Sequence, residues 1–453
     1  MSEHDAIVIG MGVGGEEVAG RLADGGLDVL AIERKLVGGE CPYWGCIPSK
    51  IMVRAGDSLA EAARVTGLAG EAQIAPEWAP VAQRVREATA DWNDEVAVER
   101  HEGKGETVLR GEARLVAPRT VEVDGRPFTA RRGIVLASGT EPALPPVEGL
   151  KEVDYWTNRD AIETKEVPRS LVVLGAGPIG LELGQVFSRF GSEVTFVEVF
   201  EHALAYDEPE IGMAVADALR AEGIALHTGV RARRVRSIGD GVAVELSDGR
   251  SLNAERILVA TGRKASLAEL GLEAGGLDTD ANLIEVDGHM RAGDGLWAVG
   301  DVTGKGQFTH VAVYQGRIAA ADILGREHSP ADYRAVPRVT FMDPEVASVG
   351  LTAKKAHEAG VNVSVGVAET KTTARGWIHG PGAEHGVIKV VADSERKILV
   401  GGSIMGPAAG DNVGFLGLAI KERIPIKNLR DLIYPYPTFI RGVEDALREL
   451  ESS

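Results

Sequence analysis

Ala6-Ile7-Val8-Ile9-Gly10-Met11-Gly12-Val13-Gly14-Gly15 is a short β-branched run that breaks into a glycine-rich turn. Glycines fill the first, third and sixth places of G-x-G-x-x-G, and Glu16 to Ala23 continues as a helix-like stretch. A second apolar run, Val29-Leu30-Ala31-Ile32, ends at Glu33, about 20 residues beyond the glycines, where a carboxylate can accept from a ribose hydroxyl. Strand, glycine turn, helix, strand and acid together read as a dinucleotide cradle. Its glycines let the backbone approach a pyrophosphate, and the helix N-terminus adds unsatisfied N–H groups and a positive dipole end. The candidate binding residues are Gly10, Gly12, Val13, Gly14, Gly15 and Glu33.

The unit recurs. Ser170-Leu171-Val172-Val173-Leu174 leads into Gly175-Ala176-Gly177-Pro178-Ile179-Gly180, then a helix from Leu181, then Glu193-Val194-Thr195-Phe196-Val197-Glu198. Gly175, Gly177, Pro178, Ile179, Gly180 and Glu198 are therefore candidates for a second nucleotide. Glu198 stands where a 2′-phosphate would lie, Glu201 is nearby, and no arginine lies between Glu198 and His202. NADH is expected over NADPH.

The chain has only two cysteines, in Gly39-Glu40-Cys41-Pro42-Tyr43-Trp44-Gly45-Cys46-Ile47-Pro48-Ser49-Lys50. Secreted disulfide scaffolds carry many cysteines and zinc sites use three or four ligands, so one close pair suggests a working dithiol/disulfide. The alternative is a pair of inert buried thiols. Ile47 to Ala63 reads as a helix, which places Cys46 at a helix N-terminus, where the dipole favours a thiolate. The loop between the cysteines is expected to expose one sulfur and tuck the other inward.

At 453 residues and 44% hydrophobic composition, the chain can fill several domain cores. Its 57 glycines, without periodicity or low-complexity runs, fit tight turns beside ligands. A formal charge of -18 and the lack of a basic run argue against nucleic acid. The acidic start Met1-Ser2-Glu3-His4-Asp5 is unlike a signal peptide, and no apolar stretch approaches the ~18 residues of a membrane helix. A cytoplasmic protein is expected. No metal centre is expected, because two cysteines are too few and no histidine pair occurs at ligand spacing. Ser49 lies outside any G-x-S-x-G turn, which argues against a serine hydrolase.

Two cradles with Cys-x4-Cys soon after the first resemble the class I pyridine nucleotide-disulfide oxidoreductases, the glutathione reductase, dihydrolipoamide dehydrogenase and mercuric reductase type. Ala137-Ser138-Gly139, Ala260-Thr261-Gly262-Arg263, Leu296-Trp297-Ala298-Val299-Gly300-Asp301, Phe308-Thr309-His310 and Phe341-Met342-Asp343-Pro344 extend the resemblance over nearly the whole chain. It implies an α/β fold: two Rossmann-like dinucleotide-binding domains plus a C-terminal α+β dimerisation domain. The discontinuous FAD-binding domain would take residues 1–145 and 263–335, the NAD-binding domain 146–262, and the dimerisation domain 336–453. The short β runs from Val336 onward fit an antiparallel sheet with helices on one face.

By the same resemblance the first cradle holds FAD and the second NAD. Gly39, Lys50, Ala113, Ser138, Gly139, Asp301, Thr309 and His310 join the first cofactor's surroundings, with Asp301 on the ribityl chain, and Gly262 closes the second unit. Lys50 resembles the lysine near the flavin, and Glu182 its partner carboxylate. Electrons would pass from NADH through FAD to Cys46, the charge-transfer thiol, leaving Cys41, the interchange thiol, to meet a small-molecule acceptor. A homodimer sharing its active sites is implied.

Two departures qualify that picture. Pro42-Tyr43-Trp44 replaces a smaller Asn-containing linker, so aromatics either shape access to the thiols or simply pack. In Tyr434-Pro435-Tyr436-Pro437-Thr438-Phe439-Ile440-Arg441, Tyr436 stands at the family's histidine base and Arg441 at its orienting glutamate, and the last histidine is His385. A phenol near pKa 10 is a poor base at neutral pH. Tyrosine here resembles mercuric reductase, although the segment Leu450-Glu451-Ser452-Ser453 lacks that enzyme's vicinal cysteines. The acceptor is thus expected to be a disulfide, a metal ion or another thiol-reactive species. Two alternatives stand beside it: an NADH oxidase or quinone reductase using flavin directly, and a non-enzymatic redox sensor.

Overall fold

A computed structural model describes residues 2–265 and 267–450; Met1, Ser266 and the terminal Glu451-Ser452-Ser453 lie outside the described residues. The chain forms two compact units.

The first unit comprises Met1–Pro48, Arg84–Ala143 and Arg263–Tyr333. Its sheet runs Arg291–Gly293, Leu296–Ala298, Arg126–Leu136, Ser2–Ile9, Val29–Glu33, Thr107–Arg110. The last five strands of that order are parallel to one another. Parallel strands are covered on both faces, and so they read as continuous apolar runs. Ile7, Ile9, Leu30 and Ile32 fill one face with Leu115, Val121 and Ile134. Ala6, Val8 and Ala31 fill the other with Val18 and Leu22 of helix Val13–Asp24 and Ile318 of helix Thr309–Ile323. The return of the chain at Leu296–Ala298 is what carries Asp301 back to this sheet.

The second unit comprises Ser49–Gln83, Leu144–Gly262 and Arg334–Ser453. Its five-stranded parallel sheet runs Ala225–His227, Glu193–Val197, Ser170–Leu174, Arg256–Val259, Tyr155–Trp156. A separate antiparallel sheet runs Pro337–Thr340, Val346–Gly350, Ile398–Met405, Val387–Asp393, Val363–Glu369. Helices Ala409–Lys421 and Gly442–Glu449 bury Val413, Leu416, Val443 and Leu447 with that sheet's Val349, Ile388 and Val390. Lys389 leaves the sheet to donate from Nζ to Glu208 at 2.9 Å and Glu210 at 2.8 Å, a buried cation fully paired.

Two local readings change. Apolar positions recur at helical spacing from Trp78 to Arg100, yet the segment is broken into Ala79–Ala88, a short 3-10 turn Ala90–Trp92, and Glu95–Glu102. Ala90, Asp91 and Trp92 take positive φ, and the Trp92 indole donates to the Tyr43 carbonyl at 3.2 Å. A tertiary hydrogen bond thus overrides helical propensity. Between the cysteines, Pro42 and Tyr43 end a helical turn, Glu40–Tyr43, and only Trp44-Gly45 is left as a loop before helix Cys46–Arg64. Among the described residues no helix is long and apolar enough to cross a membrane.

Candidate active site

The first glycine turn is built to keep side chains out. Gly10 has φ +92°, and a Cβ there would lie 2.4 Å from the Ala137 carbonyl oxygen. Gly39, at φ +67°, approaches the Cα of Gly12 so closely that its own Cβ would lie 2.8 Å away. Glu33 closes the turn: its buried carboxylate accepts from Met11 N and Lys35 N, both at 2.7 Å. Beside the cradle, the Ser138 hydroxyl is buried without a hydrogen-bond partner among the described residues. An unmet polar atom next to a glycine turn that leaves no room for a Cβ at Gly10 or Gly15 fits a dinucleotide cofactor.

Asp301 starts a short 3-10 turn after Gly300 and accepts from Thr140 Oγ1 at 2.7 Å. Arg263 donates to Thr140 Oγ1 at 2.8 Å and to its carbonyl at 2.7 Å, and lies 3.5 Å from Glu40. Burial lifts the Asp301 carboxyl above its ordinary value, opposed by the Thr140 bond and by Arg263. Sequence reasoning misses Thr140; its one signal is its position directly after Ser138-Gly139. Ala113 begins strand Ala113–Ala117 with its methyl in the core, so only its backbone could meet a ligand. Gly139 has φ +66°. His310 is exposed and stacks on Phe308 at 5.3 Å.

Cys46 is the first residue of helix Cys46–Arg64, and Cys41 lies in the turn before it. The two are thiols here, not a disulfide, and both are half-buried. The Cys46 sulfur lies 3.2 Å from the Thr309 hydroxyl, itself the first residue of helix Thr309–Ile323. A hydrogen bond to Cys46 and burial hold the Cys41 thiol far above its ordinary pKa, while Thr309 pulls the other way. Tyr43 is buried and its carbonyl anchors Trp92, so packing accounts for it.

In the second unit the glycine turn repeats the same geometry. Gly175 has φ +100°, a Cβ on it would lie 2.5 Å from the Ala260 carbonyl oxygen, and over Gly177 nothing lies within 4 Å. Gly180 packs its α-carbon against Gly175, while Pro178 and Ile179 open helix Pro178–Arg189. Glu198 accepts from Ala176 N at 2.7 Å and Phe200 N at 3.0 Å. Gly262 has φ +118° and open space around it. Lys50 donates to Glu182 at 2.6 Å, and Glu182 accepts with its other oxygen from Phe341 N at 2.8 Å. The Lys50 ammonium also lies 4.8 Å from the centre of the Phe341 ring, a contact that has no signal in the sequence. Tyr434 is buried, donates to the Leu429 carbonyl at 3.0 Å and is pushed by burial up to about 12. Tyr436 is 68% exposed, with the Arg441 guanidinium 5.2 Å from its ring centre.

Comparison with known proteins agrees with this construction. Residues 4–316 match the model of the pyridine nucleotide-disulphide oxidoreductases, and residues 336–447 match that family's dimerisation domain. Mercuric reductase of Staphylococcus aureus is 34% identical over 449 residues, covering 98% of this chain and 81% of that protein. Dihydrolipoyl dehydrogenase of Thermus scotoductus is 36% identical over 466 residues, covering 99% and 98%. Among solved structures, the Cu(II) complex of the HOCl-induced flavoprotein disulfide reductase RclA from Escherichia coli superposes with a TM-score of 0.85 at 25% identity, covering 99% of each chain. LpdA from Mycobacterium tuberculosis gives 0.86 at 25% identity, covering 99% and 100%. The chain belongs to the class I pyridine nucleotide-disulfide oxidoreductases and is an FAD-dependent enzyme of that family.

Proposed function

We propose that this enzyme oxidises NADH and passes the electron pair through Cys41 and Cys46 to a soft metal ion in preference to a disulfide. The carrying observation is the pairing of a helix-heading Cys46, hydrogen-bonded to Cys41 and Thr309, with a tyrosine where the family's base would stand. FAD, when bound, supplies a carrier that takes a hydride from nicotinamide and hands two electrons to sulfur.

Gly10, Gly12, Val13, Gly14, Gly15 and Gly39 would hold its pyrophosphate through backbone, with Glu33 on the ribose, Asp301 on the ribityl chain and Ser138, Gly139, Thr309, His310 and the Ala113 backbone lining it. Lys50, held by Glu182, would place its ammonium at the reacting edge. Gly175, Gly177, Pro178, Ile179, Gly180, Glu198 and Gly262 would hold NADH, with Glu198 repelling a 2′-phosphate. The FAD-binding part would be residues 1–145 with 263–335, the NAD-binding part 146–262 and the pairing part 336–453. The exposed Leu432, Ile433 and Tyr436 supply apolar surface for pairing two copies in a dimer with shared active sites, in the cytoplasm.

Thiol–disulfide exchange needs a proton acceptor for the attacking thiol and a donor for the leaving one. A bound metal ion displaces thiol protons by coordination instead, so a missing imidazole matters less. One NADH gives the two electrons that take one Hg(II) to Hg(0) or two Cu(II) to two Cu(I), with NAD⁺ and a proton as the other products. The relatives called mercuric reductase and the neighbour solved with Cu(II) support this choice.

The test is an NADH-oxidation screen over Hg(II), Cu(II), lipoamide, glutathione disulfide, quinones and oxygen, with Cys41→Ala alongside. Metal turnover that exceeds disulfide turnover at least tenfold and disappears in Cys41→Ala is the expected result. Full turnover of quinone or oxygen in Cys41→Ala, with none on metals in the parent, would replace the proposal by direct donation from flavin. Tyr436→Phe is expected to slow metal turnover about tenfold, about 1.4 kcal/mol in the barrier; an unchanged rate assigns Tyr436 to packing.

A further inference from the structure

The first unit gathers a cluster that no part of the redox chemistry uses. His289, Asp322 and His328 each offer a donor atom, and these atoms lie within 4.8 Å of one another. We propose that this triad binds a divalent transition-metal ion of the imidazole-preferring kind, zinc foremost, with solvent completing the shell.

One spacing within the triad suits a shared ion better than a hydrogen bond. His328 Nε2 lies 3.5 Å from Asp322 Oδ1. That is long for a hydrogen bond, yet it matches the donor–donor edge of about 3.4 Å expected of a tetrahedral ion with bonds near 2.1 Å. The two imidazoles stand edge to face, their ring centres 5.0 Å apart. His289 adds an independent sign: its Nδ1 is buried and finds no hydrogen-bond partner among the described residues. A ring nitrogen shut away from water and left unpaired is costly, and a metal bond would satisfy the ring.

The surroundings hold the triad in place. Asp287 accepts from His289 N at 2.8 Å and Arg291 N at 2.9 Å, which fixes the turn carrying His289. Asp322, in the last turn of helix Thr309–Ile323, accepts from Arg291 at 2.6 and 2.7 Å and from the Trp297 indole at 2.8 Å. Such partners orient a metal-binding carboxylate as outer-shell donors do. A carboxylate has about four lone-pair sites, so Asp322 Oδ1 can still take an ion. Arg291 offsets the carboxylate's charge, which disfavours hard cations such as calcium that need several anionic oxygens. An ion bound chiefly through two imidazoles remains the best match, and zinc suits that ligand set. The three residues come from a turn, a helix end and the loop after it, so no sequence spacing betrays them. An ion here would tie the turn before strand Arg291–Gly293 to the end of the helix whose first residue, Thr309, meets Cys46.

The dithiol would itself bind zinc, so the experiment starts from the flavin-loaded Cys41→Ser/Cys46→Ser enzyme. Zinc is titrated in competition with a chromophoric chelator, and thermal unfolding is followed with zinc and with EDTA. One ion per subunit is expected, with a higher Tm in zinc. His289→Gln and His328→Gln should each weaken zinc at least tenfold and abolish the Tm gain. No zinc bound by the thiol-free enzyme, or affinity unchanged in both histidine variants, overturns the proposal. Should His289→Gln fail to fold, His328→Gln decides it alone.

Discussion

At Gly10–Gly15 the carboxylate of Glu33 holds Met11 N and Lys35 N, and at Gly175–Gly180 that of Glu198 holds Ala176 N and Phe200 N. Both glycine turns are therefore closed by an acid at the end of the next strand, in the same hydrogen-bond pattern. Their flanks differ. After Glu33 come Arg34 and Lys35, which with Arg110 and Glu141 line a cavity of about 580 Å³. After Glu198 come Val199 and Phe200, both about half exposed, and then Glu201. The helices are also pinned differently. Helix Val13–Asp24 is held through Glu16, which His101 meets at 3.0 Å, whereas helix Pro178–Arg189 is held by Arg189 on Asp57 at 2.9 Å and Asp343 at 2.8 Å. The fingerprint thus dictates a backbone shape and leaves the flanking charges and the pins of its helix open.

The sharpest way to separate the two cradles is to fill each in turn. A side chain at Gly10 would meet the Ala137 carbonyl at 2.4 Å, and one at Gly175 the Ala260 carbonyl at 2.5 Å, both at positive φ. Gly10→Val is expected to purify with less than about a tenth of the parent's flavin per subunit. Gly175→Val should keep its flavin yet lose at least a hundredfold in kcat/KM for NADH, about 2.7 kcal/mol. Absorbance spectra and NADH kinetics read both. Flavin retained in the first variant, or lost from the second, would reverse the assignment of cofactors to cradles.

The contrast between the cradles also explains which features are legible without coordinates. Glycine turns, flanking β-branched runs and Cys-x4-Cys are local signals, so the parallel sheets and the helix behind Cys46 can be read from residues adjacent in sequence. The break at Ala90–Trp92 cannot, because its cause is a hydrogen bond from Trp92 to Tyr43, remote in sequence. Thr140 bridging Asp301 and Arg263, Phe341 beneath Lys50, and His289 beside His328 are hidden for the same reason. Each depends on the chain returning to a sheet after a long excursion, and periodicity carries no record of that.

The different pins make a second test, on stability. Burial works against a charged His101, but hydrogen bonds to Glu106 and Glu16 outweigh it and raise its pKa to about 9. The folded state therefore holds the proton more tightly than the unfolded chain, whose imidazole titrates near 6.5. This contribution is complete below about pH 6.5 and is lost as pH rises through about 9. It amounts to at most about 3 kcal/mol at ~1.4 kcal/mol per pH unit. Urea unfolding of the parent should weaken across that window, and His101→Gln should flatten the slope. The second cradle's pin responds lower: burial raises its Asp57 partner to about 6, so Arg189→Lys should change the slope chiefly near pH 6 and leave the loss toward pH 9 to His101.

The smallest expected effect bears on why one cradle would take NADH. Glu198 is committed to two backbone N–H groups, so replacing it would disturb the turn as well as any ribose contact. Val199 is the better probe: it follows the acid directly and is 52% exposed, leaving room for a longer side chain. Arginine there would offer a guanidinium fork to a 2′-phosphate without touching the Glu198 hydrogen bonds. Val199→Arg is expected to shift the ratio of kcat/KM for NADPH over NADH about tenfold toward NADPH, about 1.4 kcal/mol, and to make NADPH turnover more salt-sensitive. A ratio unmoved at low salt would mean that discrimination rests on Glu198 or Glu201 alone, and that the open flank after the acid is not where the second cradle chooses its nucleotide.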